Sequence, residues 1–208
     1  MKNKIPDQKK ELWHGYESFR FEQNSSECVI VKADSPLKGD PWVWRVRFFN
    51  AEPAFDLAML RHGFHLAHID ISLEKNAIQT MDGFYRFLVE EMNFSEKTIL
   101  ESYSRGANPA LNWSVNHPEK ISMIFLDRPL WNQCADLNLL KDIPLAIAYD
   151  KEDPGSPFEK NAGLILQKRM NVPGCTKQIL CKDGITSDDA EALAEFALKQ
   201  MMKGSCLK

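Results

Sequence analysis

The residues best placed to do chemistry lie between Lys97 and His117, around Ser104. Lys97 to Tyr103 reads as a short strand, Ser104 as a sharp turn, and the residues from Ala107 onward as a helix. A strained strand-to-helix turn lifts a serine hydroxyl clear of the sheet, where it can attack a carbonyl carbon. Small residues must flank it, because the strand and helix backbones nearly touch. Here they are Ser102, Gly106 and Ala107, and Ser102 stands where the Gly-x-Ser-x-Gly spacing has its first glycine. The five residues alone are a weak signal. Their place between an apolar run and a helical pattern gives them weight. A serine also needs a base within hydrogen-bond reach, itself oriented by an acid.

The composition narrows the possibilities. With 208 residues, 44% hydrophobic and 26% charged, the chain suits a single domain with a sizeable core. A net charge of -3 and the lack of any basic block speak against a nucleic-acid partner. The polar start from Met1 to Glu11 has no apolar core of a signal peptide, and no run suits a membrane span. Five cysteines without a CxxC spacing fit reduced thiols, so a cytoplasmic location is expected. No spacing suits a metal or a cofactor; Asp70 and Asp127 end strands but lack histidine or carboxylate companions.

Residues 1–11 read as a solvated arm and residues 12–208 as one domain. Tyr16 to Gln23 and Cys28 to Ala33 are β-type runs joined by a turn, and Trp42 to Phe49 is a third. Helix and strand then alternate. Helices are expected around 55–61, 78–92, 107–117, 158–170 and 187–201. Strands are expected at 64–71, 98–103, 121–126, 144–149 and 176–181. Ser187-Asp188-Asp189 reads as the cap of the last helix. The tally is about eight strands in a mostly parallel α/β sheet with helices on both faces, and Ser104 at the carboxyl end of a strand, where such sheets bind ligands.

The order of elements and the Ser104 turn together resemble the α/β-hydrolase family over nearly the whole chain from Trp13. Trp13-His14-Gly15, Pro41-Trp42-Val43-Trp44-Arg45, Arg47-Phe48-Phe49 and Tyr103-Ser104-Arg105-Gly106 are similar to a group of uncharacterised bacterial hydrolases of that fold. The resemblance implies that Ser104 is the nucleophile. It makes the Arg105 amide one oxyanion donor, with the second in the loop Phe48-Phe49-Asn50. It places the acid after the seventh strand, where Asp153 matches the acid-x-x-x-Pro pattern and Asp150 is the second choice. The same acidic loop also suits a solvated turn with capping charges.

The resemblance further implies a histidine between Cys181 and Ser187, and no histidine follows His117. His117 ends the helix that starts at the turn, roughly 18 Å away at 1.5 Å per residue. His62 and His65 belong to the same remote end, and His14 precedes the first expected strand. His68, near the carboxyl end of its strand, and Lys182, where the base is missing, are the substitutes to consider. The connection from Arg128 to Ile143 is short, so little or no lid is expected.

Trp42, Trp44, Phe48 and Phe49 suit either a pocket wall or the core. Arg105 and Arg128 suit either an anionic substrate or solvent. The expectation is a degenerate, weakly active or inactive serine hydrolase. The alternatives are a working esterase on a small ester or acylated sugar with an unconventional base, or a non-catalytic binding or structural subunit in a homo-oligomer.

Overall fold

A computed structural model describes residues 9–23, 25–71, 76–133, 135–150, 157–168, 176–181 and 184–205. Among these residues nine strands form one sheet: β1 Lys9–Trp13, β2 Tyr16–Gln23, β3 Ser26–Val31, β4 Trp42–Val46, β5 His65–Ile69, β6 Thr98–Tyr103, β7 Ile121–Asp127, β8 Leu145–Asp150 and β9 Thr176–Cys181. Their spatial order is β1-β2-β3-β5-β4-β6-β7-β8-β9. The first three strands and the β3–β5 pair are antiparallel, and every pair from β5 to β9 is parallel.

The count exceeds the expected eight by one. β1 lies partly in the stretch read as a solvated arm, with Lys9, Lys10 and Glu11 paired to Arg20, Phe19 and Ser18. Its polar composition hid it. An exposed edge strand carries charges because they discourage pairing with another chain.

The α-helices among the described residues are α1 Ala54–Arg61, α2 Ala77–Arg86, α3 Ala107–Asn116, α4 Pro157–Lys168 and α5 Ser187–Ser205. Alternate strand residues supply the two cores. Trp42, Trp44, Leu100 and Leu126 pack with Met81 and Phe84 of α2, Trp113 of α3 and Ile165 of α4. Val43, Ile99, Phe125 and Ala148 pack on the other face with Phe55 and Met59 of α1 and Leu193 and Ala197 of α5. Trp42 and Trp44 are therefore core, not pocket. The Trp44 ring lies edge-on to Trp113 at 4.9 Å. Among the described residues no helix is long and apolar enough to cross a membrane.

Two local details differ from the sequence expectation. β4 stops at Val46, because Arg47 and Phe48 take positive φ values of 64° and 50°, which no strand accommodates. The cap of α5 is Thr186 rather than Ser187. The Asp189 amide donates to Thr186 Oγ1 at 3.2 Å, and the Thr186 amide donates to Asp189 Oδ2 at 3.1 Å, a reciprocal box.

Candidate active site

The serine turn has the geometry that its residue types require. β6 ends at Tyr103, Ser104–Gly106 form one 3₁₀ turn, and α3 begins at Ala107. Ser104 sits at φ 51°, a left-handed conformation that costs a side-chain-bearing residue of order 1–3 kcal/mol. Gly106 is needed for space: a Cβ there would stand 2.6 Å from the Val46 carbonyl oxygen and 3.4 Å from Ser102 Cβ. Ser102 is fully buried and fits where a larger side chain would not. Ser104 itself remains half-buried.

The turn is anchored to the short connection after β7. The Leu130 amide donates to the Ser104 carbonyl at 3.0 Å. Asn108, in the first turn of α3, donates to the Leu130 carbonyl at 3.1 Å and accepts from the Asn132 amide at 2.8 Å. The Trp131 amide donates to Asn161 of α4. This segment lies down along α3 and α4.

Pairing of Val46 with Ser102 puts Arg47 and Phe48 level with Tyr103 and Ser104. The backbone flanking the turn is thus Arg47–Phe48. Phe49 is buried against the His68 ring at 5.2 Å, and the exposed Asn50 accepts from Trp13 Nε1 at 2.9 Å. Arg105 follows Ser104 with its side chain exposed.

None of the five histidines is brought to Ser104. His68 pairs with Arg45, which pairs with Glu101, so His68 lies two strands over and three residues back from Ser104. At about 4.8 Å between strands and 3.3 Å per residue, their Cα atoms stand roughly 14 Å apart. The His68 ring is buried, with Nδ1 2.9 Å from the Arg45 carbonyl. His62 Nε2 meets Glu191 of α5 at 2.9 Å, His65 stacks on Phe94 at 4.9 Å, and His117 Nε2 meets Asp82 at 2.8 Å. His14 does not precede the first strand; it forms the β1–β2 turn at φ 48°, exposed and edge-on to Trp13. Asp153 and Lys182 lie outside the described residues.

An arginine stands beside the turn, on the side of β8 and β9. Arg128 follows β7, and its guanidinium carbon lies 5.2 Å over the Tyr103 ring. Nε meets Asp127 Oδ1 at 3.0 Å and Asp150 Oδ2 at 4.0 Å, and Nη2 meets Glu52 Oε2 at 3.5 Å. Gly184, between β9 and α5, closes on the same group: a Cβ there would stand 3.0 Å from Glu52 Oε2 and 3.1 Å from Arg128 Nη2. The carboxylates push the arginine's pKa further up, although burial opposes them. A guanidinium holds its protons throughout the accessible pH range, so Arg128 cannot act as a base. Burial, reinforced by Asp127 and Asp150, lifts the Cys181 thiol to about 12, so it stays protonated.

A second charged cluster lies beneath the loop after β4. Arg45 Nη1 reaches Asp56 Oδ2 and Glu101 Oε1, each at 2.6 Å, and all three side chains are buried. Nη2 donates to the carbonyls of Phe48 and Ala51. One guanidinium therefore fixes the loop beside Ser104. Burial holds Glu101 well above the usual carboxylate range, opposed by Arg45 and reinforced by Asp56. No role for Arg45 follows from the sequence, although a charge inside the apolar run Trp42–Val46 marks it.

Burial also lowers the His68 pKa to about 4 and raises that of Asp127 to about 6. The two act oppositely on stability. The contribution of His68 is complete above its unfolded value near 6.5 and is lost as pH falls toward 4. That of Asp127 is complete below its unfolded value near 3.8 and is lost as pH rises through 6. His68→Asn should therefore remove about 2–3 kcal/mol of the acid-side loss between roughly pH 6.5 and pH 4.5, while Asp127→Asn should steepen it. Urea denaturation at the two pH values measures this. Unchanged pH slopes in both variants would contradict the assignment.

No protein-family model matches the chain, and no curated protein matches it either. Solved structures do. Est1E from Butyrivibrio proteoclasticus superposes with a TM-score of 0.67 at 11% identity, covering 94% of this chain and 99% of that one. An alpha-beta serine hydrolase homologue from Coxiella burnetii gives 0.62 at 12% identity, covering 89% and 97%. An S-formylglutathione hydrolase from Agrobacterium tumefaciens gives 0.62 at 10% identity, covering 92% and 96%. At such identities the likeness concerns architecture. In strand order, sheet parallelism and helix placement, this chain has the α/β-hydrolase fold.

Proposed function

We propose that the chain is a degenerate serine hydrolase: Ser104 keeps the strained turn of a nucleophile, but its base has been lost. The observation that carries this reading is Arg128, ringed by Asp127, Asp150 and Glu52 on the side of the turn where a base would stand. A serine without a base stays protonated near neutral pH and attacks slowly. The Arg105 amide and the amide of Phe48 or Phe49 remain as oxyanion donors, and such donors with binding alone sustain a rate about 10³–10⁴ above water. The protein then binds a small ester or acylated molecule and turns it over poorly, as a soluble binding module of the cytoplasm.

One observation favours the working-esterase reading. Ser104 retains its left-handed strain, which a purely structural turn would shed by accepting glycine. In that reading Lys182 supplies the base and Asp153 or Asp150 the acid. Hydrolysis of p-nitrophenyl acetate separates the two. The proposal expects Ser104→Ala to lower the rate by less than about tenfold, because little of it passes through the hydroxyl. A loss beyond about a hundredfold in a folded variant would favour the working esterase.

A further inference from the structure

The charges around Ser104 are divided unevenly. Toward β8 and β9, Arg128 is held by three carboxylates. Toward β4, Arg47 and Arg105 flank the turn, and neither has an acidic partner among the described residues. The 3₁₀ turn and the first turn of α3 contain no acid. In a chain of net charge -3, this is a local patch of positive charge with no paired acid among the described residues.

Arg47 is the more telling of the two. It leaves β4 level with Tyr103, and its Cβ would lie 3.7 Å from a Cβ on Gly106, so it stands against the start of the turn. Among the described residues its Nε and Nη1 have no hydrogen-bond acceptor and both are covered from solvent, so the edge a ligand would meet is that of Nη2. Taking guanidinium donors out of water without an acceptor is unfavourable, and folded chains avoid it unless something else satisfies the charge. The guanidinium carbon lies 5.0 Å from the centre of the Phe48 ring, over its face. That ring meets Tyr103 edge-on at 6.1 Å, and both rings are half-buried. An aromatic wall thus runs from Arg47 past Ser104 to Arg128.

We propose that this wall and Arg47 form a binding site for a small planar carboxylate, with the carboxylate at Nη2 of Arg47 and the flat body of the ligand stacked on one of the two perpendicular rings, Phe48 or Tyr103, and edge-on to the other. Arg105 and the amino end of α3 strengthen the positive field at the same place. A planar acid fits better than a phosphate, because a single half-buried guanidinium beside two rings offers few donors for a tetrahedral dianion. The inference deepens the reading of Ser104 as the centre of a ligand site and rests on it: the natural ligand is an ester or acyl compound that also bears a free carboxylate. Binding itself does not require Ser104 to react.

The test is titration of the full chain with benzoate, benzamide and inorganic phosphate, followed by calorimetry or by amide shifts in NMR. Benzoate is expected to bind at least tenfold more tightly than benzamide, and more tightly than phosphate. Arg47→Met should weaken benzoate at least tenfold, Arg47→Lys less, and Arg105→Gln about two- to threefold. Benzoate has no bond for the serine to cleave, which keeps this result separate from any measurement of serine reactivity. Equal affinity for benzoate and benzamide, tighter binding of phosphate, or no binding of benzoate would each overturn the proposal on the wild-type protein alone, whatever the folding of the variants. An Arg47→Met protein that folds and binds benzoate unchanged would overturn it as well.

Discussion

Arg45→Met should destabilise the protein by about 3–5 kcal/mol at neutral pH, the largest effect expected from a single side chain. Arg45 is 1% exposed, and its two carboxylate partners are equally inaccessible. Removing the cation leaves Asp56 and Glu101 facing each other without a counter-charge in an apolar layer. The cost of the uncompensated charge sets the size of the effect, more than the loss of the pair itself. Glu101 is already held well above its ordinary range, so it will take up a proton in the variant and absorb part of the penalty. The triple replacement Arg45→Met, Asp56→Asn, Glu101→Gln should therefore recover most of the loss, because no net charge stays buried. Equilibrium denaturation with urea checks both statements. A cost below about 1 kcal/mol for Arg45→Met would mean that the cluster is not the anchor its geometry indicates. The variant should also loosen the loop after β4, since the same guanidinium holds the carbonyls of Phe48 and Ala51.

Gly106→Ala should cost about 2–4 kcal/mol, although alanine is ordinarily welcome near a helix start. The added methyl would lie 2.6 Å from the Val46 carbonyl oxygen. That oxygen belongs to a central strand paired on both sides, so no flexible end can yield. Either the start of α3 or the end of β4 must move, and Arg47 and Ser104 ride on those two segments. Gly163→Ala in α4 is the control. Nothing lies within 4 Å of a Cβ there, and the position is exposed. It should be neutral or stabilise by up to about 1 kcal/mol through helix propensity alone. Similar losses at both glycines would show that the contact at Gly106 relaxes freely.

Much of the fold is legible in the residues, for reasons these examples make plain. Periodicity fixes α2, α3 and α5, and continuous apolar runs fix β5, β7 and β8, because burial on one or both faces selects such patterns. The Ser104 turn is legible because only small neighbours permit it. β1 was missed because an exposed edge strand has no buried face to leave a signature. The end of β4 was misjudged because positive φ at Arg47 and Phe48 carries no composition signal; neither residue is glycine or asparagine. The Arg45 cluster depends on contacts between residues 11 and 56 positions apart, which no local pattern encodes. The same holds in part for Arg128: Asp127 precedes it in the chain, but Glu52 and Asp150, which close around it, come from distant segments. His68 was set aside by register, a property of the sheet. Asp153 and Lys182 fall outside the described residues, so their part in the site rests on the family pattern.

The most direct test of the account is labelling with a fluorophosphonate, followed by intact mass spectrometry of wild type and Ser104→Ala. Such reagents react quickly only with a serine that an adjacent base has activated. The account predicts that folded wild type gains no adduct within minutes, and no more than the Ser104→Ala protein does over hours. A rapid, stoichiometric adduct that disappears in Ser104→Ala would contradict it, and would place a working base beside Ser104.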